Sequence, residues 1–220
     1  MDCELYVITD RVVGRGRSHE EIARLAIEGG AGIVQLRDKE CGTNDLVRIG
    51  RRIARIAKKS GTLFIVNDRP DIAIACGADG VHLGQDDMPV SVVKKIVPKG
   101  FIIGVSVSTA AEAKKAAAGG ADYLAASPVF PTGSKPDARG FCGLSGIRRI
   151  RAVTDLPLVA IGGITSTNAR EAIMAGADGV AVISAVVAQP DIARAARELK
   201  SVVRSANVQR AVQAGAGDRD

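Results

Sequence analysis

The sequence predicts an α/β fold, a single (β/α)8 TIM barrel, on three observations. Short β-rich apolar runs alternate eight times with amphipathic helical stretches, and parallel strands need such crossover helices. The 220 residues allow about 27 per unit, room for a strand, a helix and two short loops, near the ~250 residues typical of this barrel. An internal echo marks the units: Gly30-Ala31-Gly32, Gly77-Ala78-Asp79, Gly120-Ala121-Asp122 and Gly176-Ala177-Asp178 each fall between a helix and a strand. Their spacings of 47, 43 and 56 residues are close to two units each, and the leading glycine suits a left-handed helix end.

The strands are expected at 5–9, 33–37, 63–67, 80–83, 101–106, 123–127, 158–162 and 179–183. Helices are expected near 18–29, 43–60, 71–76, 90–97, 109–119, 143–153, 166–175 and 190–203. The helix at 43–60 is the most legible. Leu46, Ile49, Ile53, Ile56 and Ala57 recur at helical spacing, which leaves Arg48, Arg51, Arg52, Arg55, Lys58 and Lys59 on the outer face. The barrel domain is placed at 1–203. The segment 204–220 has weak apolar periodicity and is expected to be a flexible tail.

Composition narrows the function. Hydrophobic residues make up 46% of the chain and aromatics 3%, so Val, Ile, Leu and Ala must fill the core. The net charge of +6 is traced in part to the basic helix face, read as solvated because no base-stacking aromatic platform accompanies it. No nucleic acid partner is expected. No apolar run reaches membrane-spanning length and no signal-peptide order opens the chain, so a cytoplasmic protein with no membrane partner is expected. Cys3, Cys41, Cys76 and Cys142 lack CxxC spacing and read as thiols rather than a zinc site or disulfide framework.

In this fold the C-terminal strand ends build the active site. Gln35-Leu36-Arg37-Asp38-Lys39 closes the second strand, and residues 35, 37 and 39 share a face at strand spacing. Arg37 offers a rigid fork for phosphate and Lys39 a mobile point charge. Asn67-Asp68 and Gly84-Gln85-Asp86-Asp87 follow adjacent strands, which suits Asp68 and Asp87 to a shared Mg²⁺. Asp also favours helix starts, and spacing alone does not separate the two readings.

The loop from Ser127 to Gly140 is long for its place and carries Thr132, Ser134 and Lys135, an anion-binding set. Gly162-Gly163-Ile164 opens a phosphate-type turn after the seventh strand, with Ile183-Ser184 after the eighth. His82 lies mid-strand and reads as a structural hydrogen-bonder, and His19 opens a helix without a functional pattern. No Ser-His-Asp or Cys-His arrangement supports nucleophilic hydrolysis.

Taken with Tyr6-Val7-Ile8-Thr9-Asp10, Gly80-Val81-His82-Leu83-Gly84-Gln85 and Gly179-Val180-Ala181-Val182, these segments resemble the thiamine-phosphate synthase family from about residue 4 to 200. The resemblance implies a transferase that joins a hydroxymethylpyrimidine diphosphate to a thiazole phosphate, with CO₂ loss from a carboxylated acceptor. It assigns Gln35, Arg37, Lys39 and Asn67 to the pyrimidine diphosphate, with Ser106 and Lys135 also on the diphosphate. Arg37, Lys39, Ser106 and Lys135 would be the catalytic set, and Asp68 and Asp87 would hold the cofactor Mg²⁺. Thr132, Ser134, Gly163, Ile183 and Ser184 would hold the thiazole phosphate.

The chain departs from the family at Ser108, where members commonly have histidine. Thiazole tautomerases share the barrel but often lack the metal-binding carboxylates, and a non-catalytic phosphate-ligand sensor is a third reading. The partners implied are small-molecule substrates. The oligomeric state, a homo-oligomer included, is left open.

Overall fold

The computed structural model describes residues 1–132 and 141–217, with side chains described through residue 215. Eight strands follow one another around a closed parallel barrel: β1 Leu5–Thr9, β2 Ile33–Leu36, β3 Leu63–Asn67, β4 Gly80–Leu83, β5 Ile102–Val107, β6 Tyr123–Ala126, β7 Leu158–Ile161 and β8 Gly179–Val182. Leu5 and Tyr6 register with Val180 and Ala181 to close the ring. The intervening helices are α1 His19–Glu28, α2 Thr43–Ser60, α3 Pro70–Cys76, α4 Val90–Ile96, α5 Ala110–Gly119, α6 Gly143–Arg151 and α7 Ala169–Met174. A short α8, Ser184–Val187, and a long α9, Ile192–Gly217, follow β8.

Local chemistry explains the helix ends. Ser18 caps α1 by accepting from the Glu21 N–H at 3.1 Å, and Thr109 and Glu112 form a reciprocal capping box on α5. Gly30, Gly77, Gly120 and Gly176 all have positive φ, as the internal echo requires. The Asp of that echo has a role that spacing did not reveal. Asp79, Asp122 and Asp178 accept hydrogen bonds of 2.8 to 2.9 Å from the N–H groups of Phe64, Ile103 and Leu158, tying β4, β6 and β8 to β3, β5 and β7.

The strand period of two divides the core. Leu5, Val7, Val34, Leu36, Phe64, Val66, Val81, Leu83, Ile103 and Val105 pack outward among the helices. Tyr6, Ile8, Ile33, Ile65, Tyr123, Ala125, Val159 and Ala181 fill the barrel interior. The same parity directs Gln35, Asn67, His82 and Ser106 inward. These polar positions therefore converge at the mouth although they are far apart in sequence.

Three expectations are corrected. The seventh helix begins at Ala169 rather than 166, because Asn168 folds the preceding turn: its Oδ1 accepts from Thr165 N and its Nδ2 donates to Gly163 O. The short α8 was not anticipated, since four residues carry no periodic signal. Residues 204–217 continue as helix, where a flexible tail was expected. Arg210 anchors this extension by donating to the carbonyls of Ile173 and Ala177 and to Asp178, while Val203 and Ala206 are buried. Such polar anchoring leaves no mark on hydrophobic periodicity. No helix among the described residues is long and apolar enough to cross a membrane.

Candidate active site

One cavity at the C-terminal end of the barrel is lined by Gln35, Arg37, Asn67, His82, Ser106, Ser127, Thr132, Gly162, Gly163, Ile183 and Ser184, among others. Of the residues singled out from sequence, it therefore unites Gln35, Arg37, Asn67, Ser106, Thr132, Gly163, Ile183 and Ser184. Ser134 and Lys135 lie outside the described residues. Lys39, Asp68 and Asp87 are not among the lining residues, and Lys39 is exposed.

Arg37 approaches Asp10 at 3.6 Å, while its Nε is buried with no hydrogen-bond acceptor among the described residues. A buried, unmet guanidinium donor is costly on its own and is suited to an anion. Across the mouth, Gly162 and Gly163 both have positive φ. A Cβ on Gly163 would collide with the Pro131 carbonyl and with Phe130, so glycine is what lets the loop after β6 lie over the turn after β7. That packing brings Thr132 to the same cavity as Gly163 and Ser184.

Below the mouth, a polar ladder crosses the otherwise apolar barrel. Gln35 Nε2 donates to the Tyr6 hydroxyl, which pairs with the Tyr123 hydroxyl at 3.0 Å. Tyr123 in turn meets His82 Nδ1 at 2.9 Å, and His82 Nε2 meets Ser106 Oγ at 2.9 Å. Burial pushes both phenols above their ordinary pKa, so each keeps its proton. The ring of Tyr123 occupies the space a side chain at residue 104 would need, which makes Gly104 part of the ladder's construction.

The sequence reading placed a structural hydrogen bond on His82, and the ladder contains it. It missed that His82 reaches the cavity, where the strand-end Ser127 also stands. Strand parity was the available signal, because His82 alternates with the outward Val81 and Leu83. Ser108 has its Oγ donating to Glu112 at 3.0 Å, so its side chain serves the start of α5. His19 bridges Thr9 Oγ1 at 2.7 Å and Asp38 at 3.1 Å. Burial outweighs the pull of Asp38 and lowers the His19 pKa.

Asp68 follows β3 with φ of 60°, and its N–H donates to the His82 carbonyl at 2.8 Å. Asp87 Oδ2 accepts from the Gly84 N–H at 2.6 Å. Both carboxylates stand beyond the ends of neighbouring strands β3 and β4, and oxygen donors of this kind fit a hard divalent cation. No group of three or more His, Cys, Asp or Glu suited to a metal occurs among the described residues. A cation held here would draw its remaining ligands from water or substrate oxygens, as Mg²⁺ does readily.

A closed parallel barrel with a glycine turn after β7 and a short helix after β8 defines the class of TIM barrels that receive phosphorylated ligands at the strand ends. Within it, this chain belongs to the thiamine monophosphate synthase family, whose profile matches residues 5–186. It is 58% identical to a thiamine-phosphate synthase of Methanoregula boonei over 209 residues, 95% of this chain and 97% of that protein. It is 55% identical to the enzyme of the same name from Methanoculleus marisnigri, covering 95% and 99% of the two chains. The solved thiamine phosphate pyrophosphorylase from Pyrococcus furiosus superposes with a TM-score of 0.86 at 45% identity, over 93% of this chain and 96% of that one.

Proposed function

We propose that this chain is a transferase that couples 4-amino-5-hydroxymethyl-2-methylpyrimidine diphosphate to a thiazole phosphate, giving thiamine phosphate and diphosphate. The observation that carries this reading is one cavity with two anion-suited sides. Arg37 brings an unmet buried donor on one side, and the Gly162-Gly163 turn stands with Thr132 and Ser184 on the other. Two phosphorylated substrates would thus meet over the barrel axis.

In this reading Gln35 and Asn67 hold the pyrimidine. Arg37, Lys39 and Lys135 neutralise its diphosphate, and Ser106 contacts it. Thr132, Ser134, Gly163, Ile183 and Ser184 seat the thiazole phosphate. Asp68 and Asp87 would hold Mg²⁺, which supplies charge neutralisation for a departing diphosphate. Loss of diphosphate leaves a resonance-stabilised pyrimidine methylene cation, and the thiazole nitrogen attacks it. With the carboxylated acceptor, CO₂ leaves as well.

Such a reaction needs preorganised cations and a positioned acceptor more than a general base. The lining suits it: His82 is committed to hydrogen bonds with Tyr123 and Ser106.

The test is diphosphate release with both substrates present, across both thiazole phosphates, with and without Mg²⁺. Release that requires pyrimidine diphosphate, thiazole phosphate and Mg²⁺ together is expected. Turnover of the carboxythiazole tautomer without pyrimidine would favour an isomerase. Binding without turnover under any metal would favour a sensor.

A further inference from the structure

We propose that His82 is a positioning residue, held by Tyr6 and Tyr123 in the tautomer that turns the Ser106 hydroxyl into a hydrogen-bond donor toward the cavity. The proposal rests on the reading of Ser106 as a substrate contact. It assigns a role to three buried residues outside the set already named, two of which do not line the cavity.

Proton positions along the ladder are set from Gln35 upward. An amide nitrogen has no lone pair to offer, so the Tyr6 oxygen must accept from Gln35 Nε2. The Tyr6 proton then has the Tyr123 oxygen as its acceptor, 3.0 Å away. Any other arrangement strands a buried hydroxyl proton, which is costly. Tyr123 has received that bond, so its own proton goes to His82 Nδ1 at 2.9 Å. A ring nitrogen that accepts carries no proton, and neutral imidazole then carries its proton on Nε2. His82 Nε2 therefore donates to Ser106 Oγ at 2.9 Å. With its oxygen accepting from below, Ser106 keeps its proton for the mouth, where an anionic substrate oxygen is the natural acceptor.

The ladder runs from the β2 strand end to the β5 strand end through the barrel axis. One amide orientation at Gln35 thus sets the polarity of a hydroxyl two strands beyond its neighbour β3. The reverse orientation would place the Ser106 proton on His82 and leave a lone pair facing the substrate, a repulsive arrangement for phosphate. The glycine at 104 keeps the Tyr123 ring in register with both partners.

Tautomer measurement decides the point without any assay of turnover. The chain has two histidines, so a His19→Gln variant of the full chain, labelled with ¹⁵N-histidine, reports His82 alone. Long-range ¹H–¹⁵N spectra at neutral pH are expected to place the proton on Nε2 and leave Nδ1 bare. A proton on Nδ1, or on both nitrogens, overturns the proposal.

A double-mutant cycle then tests the consequence. Tyr123→Phe should lower kcat/KM roughly tenfold, the scale of one hydrogen bond, when Ser106 is present. In a Ser106→Ala background the same change should cost less than about twofold, because the ladder acts through that hydroxyl. Equal losses in both backgrounds would mean a merely structural tyrosine and would overturn the proposal. Wild-type protein that releases no diphosphate would sink the proposed reaction, while the tautomer would still decide the ladder.

Discussion

Asp68 holds a left-handed backbone, φ of 60°, at the point where its N–H reaches the His82 carbonyl. That conformation costs an ordinary L-residue roughly 1–2 kcal/mol, while Asn and Asp visit it more easily through their short polar side chains. Two substitutions therefore separate backbone from charge. Asp68→Asn keeps the shape and the left-handed tolerance but removes the carboxylate. Asp68→Ala removes both. For a chain of this length 1 kcal/mol is about 2–4 °C in Tm, so the alanine variant should melt roughly 2–8 °C lower and the asparagine variant within about 1 °C of wild type. In diphosphate release over a Mg²⁺ titration, both variants should fall by about 100-fold or more, near 2.7 kcal/mol of transition-state stabilisation. Wild-type Mg²⁺ dependence in Asp68→Asn would remove Asp68 as a ligand. Equal Tm values for the two variants would refute the backbone argument.

Gly104→Ala places a methyl group inside the Tyr123 ring space, in a fully buried region that cannot yield. Thermal unfolding should show a loss of about 1–3 kcal/mol, and activity should fall with the ladder; an unchanged Tm would refute the packing. Acid should weaken the fold from near neutrality. Burial lowers the His19 pKa below its ordinary 6.5, so its contribution is full above that value and is lost as pH falls. Asp38 acts in the same sense at lower pH. Burial raises its pKa, but bonds from His19 and from the Glu40 and Cys41 amides, with the Arg11 charge, bring it below the usual 3.8. His19→Gln should flatten the Tm profile as pH falls below the ordinary histidine value of 6.5; an unaltered slope would remove His19 from the account. Arg210→Ala should cost roughly 1.5–3 kcal/mol and free the end of α9, measurable as faster amide exchange beyond residue 206.

How much of this was legible beforehand depended on range. Strand and helix positions came from periodicity, which is local. β1, β3 and β4 stand where apolar runs placed them, β2, β6, β7 and β8 each end one residue earlier, and β5 is shifted by one residue at both ends. Gln35, Arg37, Asn67, Ser106, Thr132, Gly163, Ile183 and Ser184 were recognisable as strand-end or loop residues of the right chemistry, and they do meet in one cavity. The exposed Lys39 shared the strand-spacing argument with Arg37, but β2 ends at Leu36 and its parity no longer governs residue 39. Helix 204–217 was missed because Arg210 and Asn207 anchor it through backbone acceptors on other elements.

Periodicity and turn chemistry alone determined that this chain alternates strands with crossover helices, and strand-end chemistry proposed an anion-binding mouth. Only closure of the barrel decided which inward residues touch. Tyr6 and Tyr123 are 117 positions apart, yet their hydroxyls lie 3.0 Å from each other, and His82 reaches Ser106 across 24 positions. The physical reason is that parity specifies which face a side chain takes, while distance across the axis is fixed by strand pairing, register and the space left at Gly104. Those are long-range quantities that no local pattern encodes.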